Sequence, residues 1–259
     1  MIILAVLFGA IIGLTLGALG AGGSILAVPV LVHILGLGVH EATATSLVAV
    51  GAAALVAALS SGHRNHIRWD ITAWFVTAGA LGSIAGAALG RRIDGGWLLI
   101  GFSMLMLLAA YRMFASNVEV ATSDYRAASP DRLSKSTPLA ERMLVFAVAG
   151  VTVGFLTGLF GVGGGFVIVP VLAIFIGLDM PESVATSLAV IAGNAAVAMV
   201  VRGVDSVDWP TAGAFTVPML IGSMGGALLA KRLDPKRSAQ AFAVTLVLIA
   251  VANAATVVF

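Results

Sequence analysis

Long apolar runs separated by short polar stretches divide the chain into ten predicted helices. The first half contains the runs 2–19, 24–37, 42–61, 71–89 and 97–114. The second half contains the runs 144–160, 166–178, 183–201, 209–230 and 238–258. Most of them approach the roughly 20 residues that a helix needs to cross the hydrocarbon core of a bilayer. The pattern therefore predicts an all-α polytopic membrane protein.

The two halves of the chain repeat one unit. Gly-Ala-Leu-Gly-Ala-Gly-Gly-Ser at residues 17–24 returns 141 positions later as Gly-Leu-Phe-Gly-Val-Gly-Gly-Gly at residues 158–165. Between Gly62 and Trp69 the offset becomes 140, so that Trp69 corresponds to Trp209. Two copies of a glycine-broken apolar unit are typical of transporters that are built from repeats around a central site.

The repeats define the predicted domain organisation. Residues 1–114 form the first transmembrane repeat and residues 142–259 the second. Between them, residues 115–141 are rich in Ser, Thr, Asp and Arg and contain two prolines, which predicts a surface linker.

The second segment of each half decides how the repeats are related, because its 14 or 13 residues are few for a full span. If it crosses, each half has five spans and the halves are inverted; if it turns back, each half has four and the halves are parallel. With a cytoplasmic linker, ten crossings place 11 Lys and Arg residues inside and 3 outside, whereas eight crossings split them 8 to 6. Basic residues concentrate on the cytoplasmic side, which favours two inverted repeats of five segments and places both termini outside.

Composition supports a lipid-embedded protein and narrows its chemistry. The chain is 60% hydrophobic and 10% charged, with a mean hydropathy of +1.09. The 14 basic residues sit at segment ends, so the net charge of +2 reflects topology and predicts no nucleic-acid partner. Cysteine is absent, which excludes disulfides, thiolate metal sites and cysteine nucleophiles.

Two glycine clusters are the first candidate site. They consist of Gly20, Gly22 and Gly23 in the first half and of Gly161, Gly163, Gly164 and Gly165 in the second. Each glycine costs a helix about 1 kcal/mol relative to alanine, so the clusters predict unwound backbone. Free N–H groups of unwound backbone before a helix start form an anion-binding nest. Two such nests related by pseudo-symmetry predict one anion site near the midplane.

Close helix packing of the Gly-xxx-Gly type is the other interpretation of glycine in a membrane helix. It fits the pairs Gly82/Gly86 and Gly222/Gly226 better than it fits the two clusters.

A second repeated motif reads Glu-Ala-Thr-Ala-Thr-Ser at residues 41–46 and Glu-Ser-Val-Ala-Thr-Ser at residues 182–187. Its carboxylates are predicted to lie at the start of a helix, where they complement the helix dipole. For the hydroxyls one turn further along, two interpretations stay open. They donate to the preceding turn of their own helix, or they line a pathway and donate to an anion.

Asn194 breaks the symmetry of the repeat, because its counterpart is Ala53. An amide in the middle of an apolar segment is either a substrate contact or a hydrogen bond between helices. No Asp or Glu lies at the centre of any segment, which argues against a carboxylate-bound cation and favours an anionic substrate. The spacing of His63 and His66 does not fit a helical zinc pair, so we expect neither a metal nor a cofactor.

The glycine cluster with the proline that follows it, together with the Glu-x-x-Ala-Thr-Ser-Leu motif, both present in each half, resembles the sulfite exporter TauE/SafE family, also called TSUP. The resemblance implies a multi-pass permease of the bacterial cytoplasmic membrane that moves a small sulfur-containing anion such as sulfite, thiosulfate or a sulfonate. The two repeats predict alternating access, in which one repeat rocks against the other. The oligomeric state is left open, with a homo-oligomer as one alternative. The predicted substrate-binding residues are Gly22, Gly23, Ser24, Thr45, Ser46, Gly163, Gly164, Gly165, Thr186, Ser187 and Asn194.

Three other functions are weighed against this prediction. An anion channel would use the same nests, and a transporter of the same fold would carry a non-sulfur organic anion. An intramembrane enzyme would need an activated nucleophile or a metal set, and the chain has no cysteine or His cluster on one helix face to supply one.

Overall fold

The computed structural model describes residues 2–19, 24–60, 63–115, 139–161 and 178–229, with positions 168, 169, 172, 176 and 247. All regular elements in these residues are helical, which confirms the predicted all-α class. The α-helices are α1 (Ile2–Leu19), α2 (Ala27–Pro29), α3 (Val39–Leu59), α4 (Trp69–Gly90), α5 (Gly95–Ala115), α6 (Leu139–Phe160), α7 (Met180–Arg202) and α8 (Trp209–Leu229). Short 3₁₀ turns, Arg64–His66 and Val204–Ser206, precede α4 and α8.

Four of these helices are long and apolar enough to cross a membrane, namely Val39–Leu59, Trp69–Gly90, Pro181–Arg202 and Trp209–Leu228. Shorter apolar helices are Ile2–Gly17, Ser24–Ile34, Gly95–Leu108 and Ala147–Phe160. Trp69, Trp97 and Trp209 are exposed at helix starts, where membrane proteins place interfacial aromatic residues. The predicted last segment, 238–258, lies outside the described residues except for position 247.

Helices α1 and α8 are in backbone contact along a stripe of glycines. The carbonyl oxygens of α8 lie where a Cβ would stand on α1, in the pairs Phe215 with Gly9, Met219 with Gly13 and Ser223 with Gly17. Only glycine fits these three positions, because a side chain would overlap the backbone of α8. The paired residue numbers rise together, so α1 and α8 run in the same direction.

The same contact recurs between α4 and α6. Gly154 and Gly158 of α6 lie against the carbonyl oxygens of Gly79 and Ser83. In the other direction the pairs are Gly82 with the oxygen of Val151 and Gly86 with that of Phe155. The predicted packing role is thereby confirmed for Gly82 and Gly86, and for Gly222, which lies against the oxygen of Ala10. Here too the paired numbers rise together, so α4 and α6 are parallel.

Helices α3 and α7 pack at the centre in the opposite sense. Leu47 of α3 clusters with Ala195 and Ala198 of α7, while a Cβ on Gly51 would lie 3.0 Å from the Cβ of Ala195. Further towards the start of α3, Ala44 belongs to a cluster with Met199 beside it. Residues later in α3 therefore contact residues earlier in α7, which shows that the two helices are antiparallel.

The short segment that precedes α3 has irregular backbone. Residues 24–26 are 3₁₀, Ala27–Pro29 is one α turn, and Val30–Ile34 is a π-helix. Residues 24–31 are all buried, so this backbone lies away from lipid, as irregular backbone at membrane depth must.

A glycine in the left-handed region of backbone conformation ends that segment. Gly36 has a φ of 71°, its N–H donates to the oxygen of Val32 at 3.1 Å, and the N–H of Leu37 donates to that of Leu31 at 3.0 Å. The second half repeats the outer bond, from the Leu178 N–H to the oxygen of Leu172 at 3.1 Å. The sequence repeat is thus a repeat of local structure as well.

Candidate functional site

The predicted site residues fall into two groups. Ser24, Thr45, Ser46, Thr186, Ser187 and Asn194 are described, and each has a relative exposure of 0%. The glycines Gly22, Gly23, Gly163, Gly164 and Gly165 lie outside the described residues. The predicted nests themselves therefore stay predictions, whereas the polar side chains around them have defined surroundings.

The second glycine cluster begins in contact with α3. Gly161 has a φ of 71°, and its N–H donates to the oxygen of Thr157 at 2.9 Å, which caps α6. The single hydroxyl proton of Ser46 is shared between two carbonyl oxygens, that of Gly161 at 2.7 Å from Oγ and that of Thr43 at 2.9 Å. Ser46 therefore makes the bond within its own helix and also anchors the cluster of the other half.

Thr45 and Thr186 make reciprocal contacts between the halves. The backbone N–H of Asp208, just before α8, donates to Thr45 Oγ1 at 3.3 Å. The backbone N–H of Arg68, just before α4, donates to Thr186 Oγ1 at 3.1 Å. Thr45 of α3 thus holds the start of α8, and Thr186 of α7 holds the start of α4, so that each bond joins one half of the chain to the other.

We expect Thr45→Val and Thr186→Val each to lower the free energy of unfolding by about 1–2 kcal/mol, because each leaves a backbone N–H without its acceptor. The measurement is denaturation of the detergent-purified protein. Thr77→Val is the matched control, since the Thr77 hydroxyl donates to Ala73 within its own helix and is exposed. An equal loss in the Thr77 variant would show that the reciprocal bonds add nothing.

The structure does not bring the two hydroxyl pairs to one point. Because α3 and α7 are antiparallel, Thr45 and Thr186 lie at opposite ends of the pair, roughly 20 Å apart along the helices at 1.5 Å per residue. Asn194 lies between them, close to the level of Gly51 and Ala195. The arrangement is a line of buried polar groups along the centre of the bundle, with the amide in the middle.

Asn194 has no hydrogen-bond partner for either side-chain atom within the described part of the chain. Its Oδ1 and Nδ2 lie 2.5 Å and 2.8 Å from the place of a Cβ on Gly79, so the amide packs over α4 where only glycine leaves room. A buried polar group without a partner costs about 1–3 kcal/mol. By contrast, Ser187 Oγ donates to Val184 within its own helix at 2.8 Å.

The two carboxylates of the repeated motif lie at the helix starts, as predicted. Glu41 is exposed in the first turn of α3, and Glu182 is half-buried in the first turn of α7. Both complement the positive end of a helix dipole.

Histidines contribute little to the site. His33 is exposed, and its Nδ1 lies 3.2 Å from the oxygen of Pro29. Burial, together with the neighbouring charge of His66, lowers the pKa of His63. Among the described residues no group of three or more His, Asp or Glu is placed to hold a metal ion.

Arg202 is not among the predicted site residues, because a basic residue at the end of an apolar run indicates topology. The structure buries it, with an exposure of 4%. Its Nη2 donates to the carbonyl oxygens of Gly158 at 2.9 Å and Leu159 at 3.0 Å, at the end of α6. A signal for this role exists in the sequence, since the corresponding position of the first half is Ser61 or Gly62, at an offset of 141 or 140, and neither is charged.

Comparison with known proteins agrees with the resemblance seen in the motifs. The chain is 34% identical over 246 residues to a probable membrane transporter protein of Xylella fastidiosa, covering 94% of this chain and 90% of the relative. A probable membrane transporter protein of Methanocaldococcus jannaschii is 26% identical, over 90% of this chain and 88% of the relative. No solved structure matches the chain. The profile of the sulfite exporter TauE/SafE family matches residues 5–253, and the chain therefore belongs to that family of membrane transporters.

Proposed function

We propose that the protein is a permease for a small sulfur-containing anion such as sulfite, thiosulfate or a sulfonate. The observation that carries the proposal is the Asn194 amide, which is fully buried at the centre of the bundle and has no partner within the described residues. A substrate oxygen that accepts from the amide nitrogen would remove the part of this cost that belongs to Nδ2. The family is named for sulfite export, which supports the sulfur chemistry of the anion.

The proposed architecture is two inverted repeats of five segments. Helices α1, α3 and α8 run in one direction, and α4, α6 and α7 run in the other. Helix α8 is parallel to α3, because Asp208 contacts Thr45 and, further along both helices, Ser223 contacts Ala53. Likewise α7 is parallel to α4, because Gly193 lies beside Val76 and, further along both helices, Arg202 lies beside Gly90. Because α1 and α3 point the same way, the chain between them has to return, which supports a short second segment that crosses.

The proposed pathway runs along α3 and α7. Asn194 stands at its centre, and a Thr-Ser pair stands towards each end. Near Ser46 the pathway adjoins the start of the second glycine cluster, whose backbone amides would bind the anion. Alternating access follows if one repeat rocks against the other and opens each end in turn.

The first experiment is thermal unfolding of the detergent-purified protein with sulfite, sulfate, thiosulfate, sulfoacetate, taurine and chloride. A ligand that binds only the folded state raises the unfolding temperature in proportion to its affinity. We expect one sulfur oxyanion or sulfonate to give a selective shift and to exchange across liposomes by counterflow. Flux without counterflow would identify a channel. A flat response to all six compounds, followed by a shift with a carboxylate such as acetate, would identify a non-sulfur organic anion.

We expect Gly164→Leu to abolish the anion-induced shift while the protein still folds, because a side chain would block approach to the backbone of the cluster. Gly225→Leu is the matched control, since a Cβ there meets no atom within 4 Å in the part of the chain that the structure describes. An unchanged shift in the Gly164 variant would remove the backbone nest from the proposal.

A further inference from the structure

Arg202 is a buried cation at the end of α7. Its two described hydrogen bonds both leave from Nη2 and end on carbonyl oxygens of α6. Its Nε is buried and has no partner within the described residues. The two described bonds use two of the five N–H donors of the guanidinium, and the N–H on the buried Nε is left without a described acceptor.

The surroundings of Arg202 lack a full negative charge among the described residues. The carbonyls at the end of α6 carry only the partial charge of a helix terminus. The ion pair found in the described part of the chain joins Arg68 to Asp70, at the start of α4. The charged residue that acts on Arg202 is Arg91, which has the same sign. A buried charge without a counter-ion costs several kcal/mol, so this position calls for an anion.

The position also adjoins the proposed pathway. Gly158 and Leu159 precede Gly161, the residue that Ser46 anchors, by only two or three positions. On the other side, a Cβ on Gly90 of α4 would lie 2.9 Å from Nη2, so α4 closes that edge of the guanidinium. Nε, which has no partner among the described residues, is the donor that stays available for a ligand.

We propose that Arg202 is the counter-charge of the transported anion and donates its Nε–H to an oxygen of a sulfite, sulfonate or similar oxyanion. This inference rests on the proposed function and gives it the fixed positive charge that Asn194, an uncharged amide, does not supply. Because the first half has an uncharged residue at the corresponding position, the charge stands at one end of the pathway only. The two ends would then differ in how strongly they attract an anion.

The test compares wild type, Arg202→Met, Arg202→Lys and Arg92→Met in thermal unfolding with sodium sulfite and sodium sulfoacetate. Arg92→Met removes the same charge from an exposed residue and is the matched control. We expect Arg202→Met to raise the concentration for a half-maximal shift at least about tenfold, the usual effect of losing a hydrogen bond to a charged group. Arg202→Lys should recover part of the loss, and Arg92→Met should behave as wild type.

The unfolding temperature without added anion separates this role from a purely structural one. If Arg202 only caps α6, its Met variant unfolds earlier but responds to both anions as wild type does, and that result overturns the inference alone. If wild type responds to neither of these anions and to no other sulfur anion of the panel above, the proposed function and the inference fail together. A loss of response in Arg92→Met equal to that in Arg202→Met would also overturn the inference, since a general effect of charge would then explain both.

Discussion

Replacing Gly13 with valine is expected to prevent the bundle from assembling. The carbonyl oxygen of Met219 occupies the place where the Cβ would stand, and the Cα of the same residue lies 2.8 Å from it. Backbone cannot move aside as a flexible side chain can, so α1 and α8 have to separate along their whole contact. Because Gly9 and Gly17 make the same contact one turn away, the separation also removes their packing. We expect a loss of several kcal/mol, within the range for overpacking at a rigid site.

The matched control for this variant is Gly213→Val on α8. A Cβ on Gly213 meets no atom of the described residues within 4 Å, so only the helix propensity changes, by less than about 1 kcal/mol. The measurement is the yield of monodisperse protein in detergent and its unfolding temperature. Equal behaviour of the two variants would mean that α1 and α8 are not in backbone contact.

The elements were predictable from the sequence because lipid imposes a simple pattern. The run 2–19 coincides with α1, Ile2–Leu19, because an uninterrupted apolar run of this length is a strong signal for a membrane helix. The partners of these elements were not predictable. Gly9 and Gly13 look like any glycine in an apolar run. Nothing in the sequence indicates that α1 contacts α8.

The polar residues show the same limit. Ser46 was correctly placed near the start of a helix, yet its bond to Gly161 spans 115 positions and cannot be seen in one half of the chain. Arg202 and Arg92 look alike in sequence, as basic residues at segment ends. Burial separates them, and burial depends on where α4 and α6 end.

Asn194→Leu should separate stability from function. Leucine is close to asparagine in shape and has no polar atoms, so the buried Oδ1 and Nδ2 no longer lack partners. Removing that cost is expected to leave the free energy of unfolding unchanged or to raise it by about 1 kcal/mol. Uptake of the anion into liposomes is expected to fall at least about tenfold, because the amide is the proposed central contact.

Ser103→Ala is the control for that experiment. Ser103 is buried with an exposure of 4%, and its hydroxyl donates to Leu99 within α5 at 2.8 Å, so its removal should change uptake little. If Asn194 instead joins helices, its leucine variant loses stability while uptake per folded molecule stays at the wild-type rate. That pair of results would remove the amide from the pathway. A stable variant without uptake would support the amide, which packs over Gly79 of α4, as the central contact of the proposed pathway.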